Sequence, residues 1–150
     1  MDLSKLQRVL FEDGLAAIFE PQDQEVDADR VSLALDVNGF ADPLTLQITQ
    51  IETAPGDLSD LELVQLYAPI PVPIDQVRMG EILEALPEIN EAVPLIGFNL
   101  HMEDLFTYYR HVMLVPVGQI GLQVVKEGVW LAHFALDAFA AGLVRMARAE

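Results

Sequence analysis

The stretch LIGFNLHMEDLFTYYRHVMLV, Leu95–Val115, constrains this chain most, because it alternates with a period of two on both sides of Glu103-Asp104. Side chains of a strand point to opposite faces in turn, so such a stretch folds as a hairpin in which register alone decides what is buried. On the first limb Ile96, Phe98, Leu100 and Met102 alternate with Gly97, Asn99 and His101. On the return limb Phe106, Tyr108, Arg110, Val112 and Leu114 share one face, and Thr107, Tyr109, His111 and Met113 share the other. A two-residue turn sets Tyr109 opposite Phe98, and a three-residue turn sets Arg110 there; the pattern permits either.

Upstream, apolar residues at Leu3, Leu6, Leu10, Ile18 and Phe19 predict one helix over Leu3–Phe19, capped by Asp2 or Ser4, weakened at Gly14 and closed by Pro21. The acidic connector PQDQEVDADR leads to three strands. Val31, Leu33, Leu35 and Val37 alternate with polar or small residues, as do Leu44, Leu46 and Ile48 after the turn Asn38–Pro43. Ile51 breaks that phase and predicts a bulge or strand end near Gln50. After the loop Thr53–Asp57, LELVQLYAPI is apolar on both phases, which predicts a strand covered on both faces. PIPVPI then reads as a stiff spacer, and Asp75 as the cap of a helix whose Val77, Ile82, Leu83, Leu86 and Ile89 face inward until Pro87 ends or kinks it. From about Gln119 to Ala149 a long helix carries the seam Leu122, Val125, Val129, Ala132, Leu136, Phe139, Leu143 and Met146. Apolar character spreads well beyond that seam. Because Asp137, His133 and many small residues interrupt the run, it predicts a helix buried on more than one side rather than a membrane span.

The 150 residues suit a single domain, 1–150, of α+β class with an antiparallel sheet. No cysteine is present, so disulfides and thiol chemistry are excluded. Net charge is −16 and lopsided: residues 1–104 hold 21 acids against 4 bases, and residues 105–150 hold 3 against 4. That balance disfavours nucleic acid and anionic lipid as partners. The first twenty residues contain no apolar run of a secretory signal, which predicts a cytoplasmic location.

No residue set assembles into a catalytic constellation. His101, Glu103, Asp104 and His111 resemble metal ligands in type only, since a hairpin separates the two histidines along its ladder, and no metal or cofactor is expected. His133 reads as a hydrogen-bonded core histidine. Gly118 and Gly121 in GQIG lack the lysine of a phosphate loop and the length of a dinucleotide fingerprint. The aromatic residues Phe98, Phe106, Tyr108, Tyr109 and Trp130, with Phe134, read either as core or as a partner or dimer surface.

The order helix, three strands, helix, two strands, long helix resembles the fold shared by class I type III secretion chaperones and the YbjN-like proteins. INEAVPLIGFNL is similar to the YbjN-type run in which an asparagine after the second helix precedes a glycine-containing strand. FTYYRHVMLVP is similar to the return strand that ends at proline. The resemblance implies an acidic, cytoplasmic, non-enzymatic domain, often a homodimer. Secretion chaperones of this fold hold an extended segment of a client protein, and YbjN-like proteins are associated with regulation and stress. The expected function is therefore a chaperone-like, protein-binding homodimer. A regulatory adaptor, or a small-ligand binder or enzyme anchored by His101, His111 or Arg110, are the alternatives.

Overall fold

The computed structural model describes residues 1–54 and 58–148. It is an α+β fold in which a six-stranded antiparallel sheet, ordered β1-β2-β3-β4-β6-β5, carries three helices. The elements are α1 (Leu3–Glu12), β1 (Ala16–Glu20), β2 (Arg30–Leu35), β3 (Leu44–Ile51), β4 (Leu61–Pro73), α2 (Met79–Ala92), β5 (Phe98–His101), β6 (Phe106–Pro116) and α3 (Gln119–Ala147). The loop expected at Thr53–Asp57 and the expected helix end at Ala149 include positions outside the described residues.

The first helix is shorter than its spacing suggests. Asp2 caps α1 by accepting from the Lys5 amide at 3.1 Å. Gly14, at φ +87°, takes the left-handed conformation that closes a helix end, and the Leu15 amide returns to the Leu10 carbonyl. Ile18 and Phe19 consequently belong to the edge strand β1, with Ala17 turned inward and Ile18 outward. Five residues suffice for an edge strand, and over so short a run helical and strand spacing coincide.

On β2, β3 and β4 the alternation holds: Val31, Leu33, Leu46, Ile48, Val64, Leu66, Ala68 and Ile70 are buried beneath the helices. Strand β3 ends at Ile51, in keeping with the strand end expected near Gln50, and Ile51 pairs with Leu63 on the opposite face from Ile48. One expectation is corrected here. Strand β4 is covered on one face only, its other phase remaining half-buried or exposed, and it continues through the prolines to Pro73. Pro69, Pro71 and Pro73 fall on the phase whose amides would point toward β3, and the β3 ladder stops at Gln47↔Tyr67. The missing donors therefore cost no ladder bond.

Asp75 caps a 3-10 turn over Gln76–Arg78 that feeds α2. Ile82 and Leu86 are buried, whereas Val77 and Leu83 are exposed, contrary to the inward facing expected of them. The helix passes through Pro87 because Pro87 and Leu83 lie on its wet side, which leaves the freed Leu83 carbonyl toward solvent. On α3 the inner seam is as expected, with Leu122, Val125, Val129, Ala132, Leu136 and Leu143 buried.

The hairpin register is Phe98↔Tyr109 and His101↔Phe106, which is the phase of the two-residue turn. Arg110 exchanges both backbone bonds with Gly97, so the amide and carbonyl of Phe98 point to the free edge of the sheet. Asn90, from the last turn of α2, satisfies both: its Oδ1 accepts from the Phe98 amide at 2.7 Å and its Nδ2 donates to the Phe98 carbonyl at 2.9 Å. The side chain substitutes for a seventh strand at that point. Asn90→Ala strands both groups beside a buried ring, and urea unfolding should register a loss of about 2 kcal/mol. Asn90→Asp, which keeps the acceptor alone, should fall between.

Candidate functional site: an aromatic row on the open sheet face

All three helices pack on one face of the sheet, leaving the alternate phase of every strand without a covering layer. Register determines what that phase carries. Phe106, Tyr108, Arg110, Val112 and Leu114 of β6 stand beside Leu63, Gln65, Tyr67 and Pro69 of β4. Asn99 and His101 of β5 extend the same face outward.

Four rings form a continuous row across three strands. His101 stacks on Phe106, with centroids 5.1 Å apart and planes 10° from parallel. Phe106 meets Tyr108 at 6.0 Å, and Tyr108 meets Tyr67 at 5.6 Å. The Tyr67 hydroxyl is held above its ordinary pKa, first by burial and then by Tyr108. Beside the row, Arg110 Nε donates to Gln65 Oε1 at 2.6 Å, and among the described residues its guanidinium has no carboxylate partner. Across β3, β4 and β6 this face bears no carboxylate, on a chain of net charge −16. At the two margins of the face stand Asp104, whose Oδ2 is 3.3 Å from His101 Nδ1 at the end of the row, and Glu20 on the far edge strand, where Arg30 and Ser32 hold its pKa below the usual carboxylate range.

The residues singled out from sequence divide among three places. Phe98 and Tyr109 are in the core, not on a surface: they are 1% and 0% exposed and meet edge to face at 5.3 Å. The Tyr109 hydroxyl donates to the Leu95 carbonyl, and burial pushes its pKa up. Phe106 and Tyr108 belong to the aromatic row. Trp130 and Phe134 lie on the outer side of α3, 40% and 59% exposed. Tyr67 and Pro69 were not singled out, although the two-phase apolar pattern of LELVQLYAPI is their signal.

Polar candidates do not converge. His101 is on the open face, while His111 is on the helix-side phase, its Nδ1 against the Ile96 carbonyl. His133 is tied through Nε2 to the Asp36 carbonyl at 2.7 Å, at the rim of α3. Among the described residues, no group of three or more histidine, aspartate or glutamate side chains could hold a metal ion. A cleft of about 290 Å³ lies beside Val117 and Leu122, and the ion pair of the Met1 amine with Glu62 forms part of its wall. Space between sheet and helices is filled by core side chains. By length and composition α3 could cross a bilayer, but a third of its most apolar window is buried in this domain.

Trp130, the one tryptophan, donates from Nε1 to Asp13 Oδ2 at 2.8 Å, clamping α3 to the end of α1. That bond, followed by the nearby Lys126 ammonium, lowers the Asp13 pKa. A carboxylate held low in the folded state stabilises above its unfolded pKa, and that contribution is lost as pH falls through the folded one. Tryptophan emission should therefore stay constant through the ordinary aspartate range and change below it; Asp13→Asn should abolish the step. No family model, curated protein or solved structure matches this chain.

Proposed function

We propose that this chain is a non-enzymatic, chaperone-like protein-binding domain that holds an extended segment of a client on its open sheet face and works as a homodimer in the cytoplasm. The observation that carries the reading is the row His101–Phe106–Tyr108–Tyr67, bordered by Asp104 at its His101 end and continuous with a face of β3, β4 and β6 that bears no carboxylate, on an otherwise acidic chain. Aromatic rings half-exposed on a rigid sheet offer large contact area with few rotatable bonds, and each ring pair formed with a client is worth about 0.5–1.5 kcal/mol. Arg110 and Gln65 supply polar groups at the side of the row, suited to a client carbonyl or carboxylate. The acidic loops around the sheet raise the encounter rate with segments whose flanks are basic. Resemblance to the secretion chaperones and YbjN-like proteins supports the same reading, and the lack of converging polar groups favours it over a pocket enzyme.

The test is protection of an unfolded protein. Reduced insulin, which aggregates on loss of its disulfides, is mixed with this chain and followed by light scattering. Wild type should suppress scattering near stoichiometric ratio. Tyr67→Ser/Tyr108→Ser should need about tenfold more protein, because two half-buried rings are lost at roughly 0.7 kcal/mol each, with thermal unfolding little changed. Failure of wild type to protect, or equal protection by the double variant, would remove the sheet face as the client site. Binding to folded proteins alone would identify an adaptor instead.

A further inference from the structure

Helix α3 carries a second apolar seam that the domain does not use. On the side away from the sheet, Ile120, Val124, Leu131, Phe134 and Ala138 recur in three- and four-residue steps, with Glu127 filling the position between Val124 and Leu131. Exposure is 70% at Ile120, 37% at Val124, 39% at Leu131 and 59% at Phe134. The seam is about 27 Å long at 1.5 Å per residue. We infer that it pairs with the same seam of a second copy, antiparallel, crossing at Leu131 and Phe134. This names the surface for the homodimer proposed above and rests on that part of the reading.

Three observations choose this occupant. The spacing is that of ridges received by another helix, not by a strand or a loop. Next, two copies each bearing −16 repel wherever their acidic loops face, and this seam holds one carboxylate, Glu127, with Lys126 Nζ 3.7 Å away. Asp137, on the flank, is already engaged by the amide and side chain of Asn38. Last, the seam is bulky in its first half and small in its second, where Ala138 and Gly142 follow Phe134. A parallel pair would set Glu127 on Glu127 and small residues on small. The antiparallel pair sets Leu131 on Phe134 and Glu127 on Ala138, filling the hollow at the small residue with a larger side chain. Such a two-fold contact closes on itself and stops at the dimer.

Sedimentation equilibrium of the full chain decides it. Wild type should show twice the 16.6 kDa protomer mass. Phe134→Glu should weaken the dimer about a hundredfold, tenfold for each symmetry-related copy, with unchanged circular dichroism because the site is exposed. The chain has no cysteine, so mixing Glu127→Cys protein with Ala138→Cys protein should give a disulfide-linked heterodimer on mild oxidation. Selective linking of Glu127→Cys to itself would overturn the antiparallel arrangement. A dimer indifferent to Phe134→Glu would overturn the face while leaving the homodimer standing. A wild-type monomer would overturn both, and so would flotation of wild type with phosphatidylcholine–phosphatidylglycerol vesicles. Insulin protection by the Phe134→Glu monomer keeps the client reading separate from each of these results.

Discussion

The close approach of α3 to β4 and β6 is the contact on which the remainder of the structure depends. Two glycines permit it. A Cβ on Gly128 would stand 2.7 Å from the Met113 side chain, and one on Gly121 would stand 1.9 Å from the Pro116 carbonyl oxygen. With the helix backbone pressed against the sheet, Val125, Val129, Ala132 and Leu136 reach between Val64, Leu66, Ala68 and Tyr109, and none retains more than 1% exposure. Burial at about 25 cal/mol per Å² makes this layer the main stabilising element. The helix also anchors the periphery: Trp130 holds α1, Asp137 holds the β2–β3 loop at Asn38, and the Ala147 carbonyl accepts from the Asp75 amide ahead of α2.

Because the helical layer is on one side only, the alternate strand phase is free to serve something other than folding. In an antiparallel sheet with one wet face that phase is ordinarily polar, and here β2 and β3 follow the rule with Ser32, Thr45, Gln47 and Thr49. Strands β4 and β6 depart from it with Leu63, Tyr67, Phe106, Tyr108, Val112 and Leu114. Stability of the isolated domain gains little from half-exposed rings, and it is this departure from the rule that the proposed client site draws on.

How far the sequence exposes this arrangement depends on how much of each signal is local. Alternation on β2 and β3 and the inner seam of α3 are local, and the residues found buried are those the spacing selects. Strand β1 is invisible because Ile18 and Phe19 also sit at helical distance from Leu10 and Leu15, and only the conformation of Gly14 separates the two readings. Whether Phe98 opposes Tyr109 or Arg110 depends on one residue of turn length, so the division of the aromatic residues between core and open face could not be decided from composition. Phase in LELVQLYAPI was legible, yet an apolar residue on an uncovered strand face reads the same as one beneath a second layer. What lies above a face is a tertiary fact. Asn90 belongs to the same class, since its partner Phe98 is eight positions away on another element.

Charge binds the two apolar surfaces to a single geometry. The carboxylates concentrate in the connector Pro21–Asp29, in α2, in the loop before β4 and at the turn Glu103-Asp104. The connector and α2 lie outside the central open face and the outer seam of α3, and Asp104 of the turn reaches the open face only at its His101 end. Those two surfaces lie on opposite sides of the domain, one backing the sheet and one backing the helices that cover it. A dimer joined through α3 would therefore bury its seam at the two-fold axis and turn both aromatic rows outward, away from the partner. Each row would retain its acidic surround, and neither would be occluded by assembly. Joining through the sheets would do the reverse, covering the rings and leaving the seam of α3 in water. Of the two arrangements, only the helix-joined one lets self-association and client binding proceed at once.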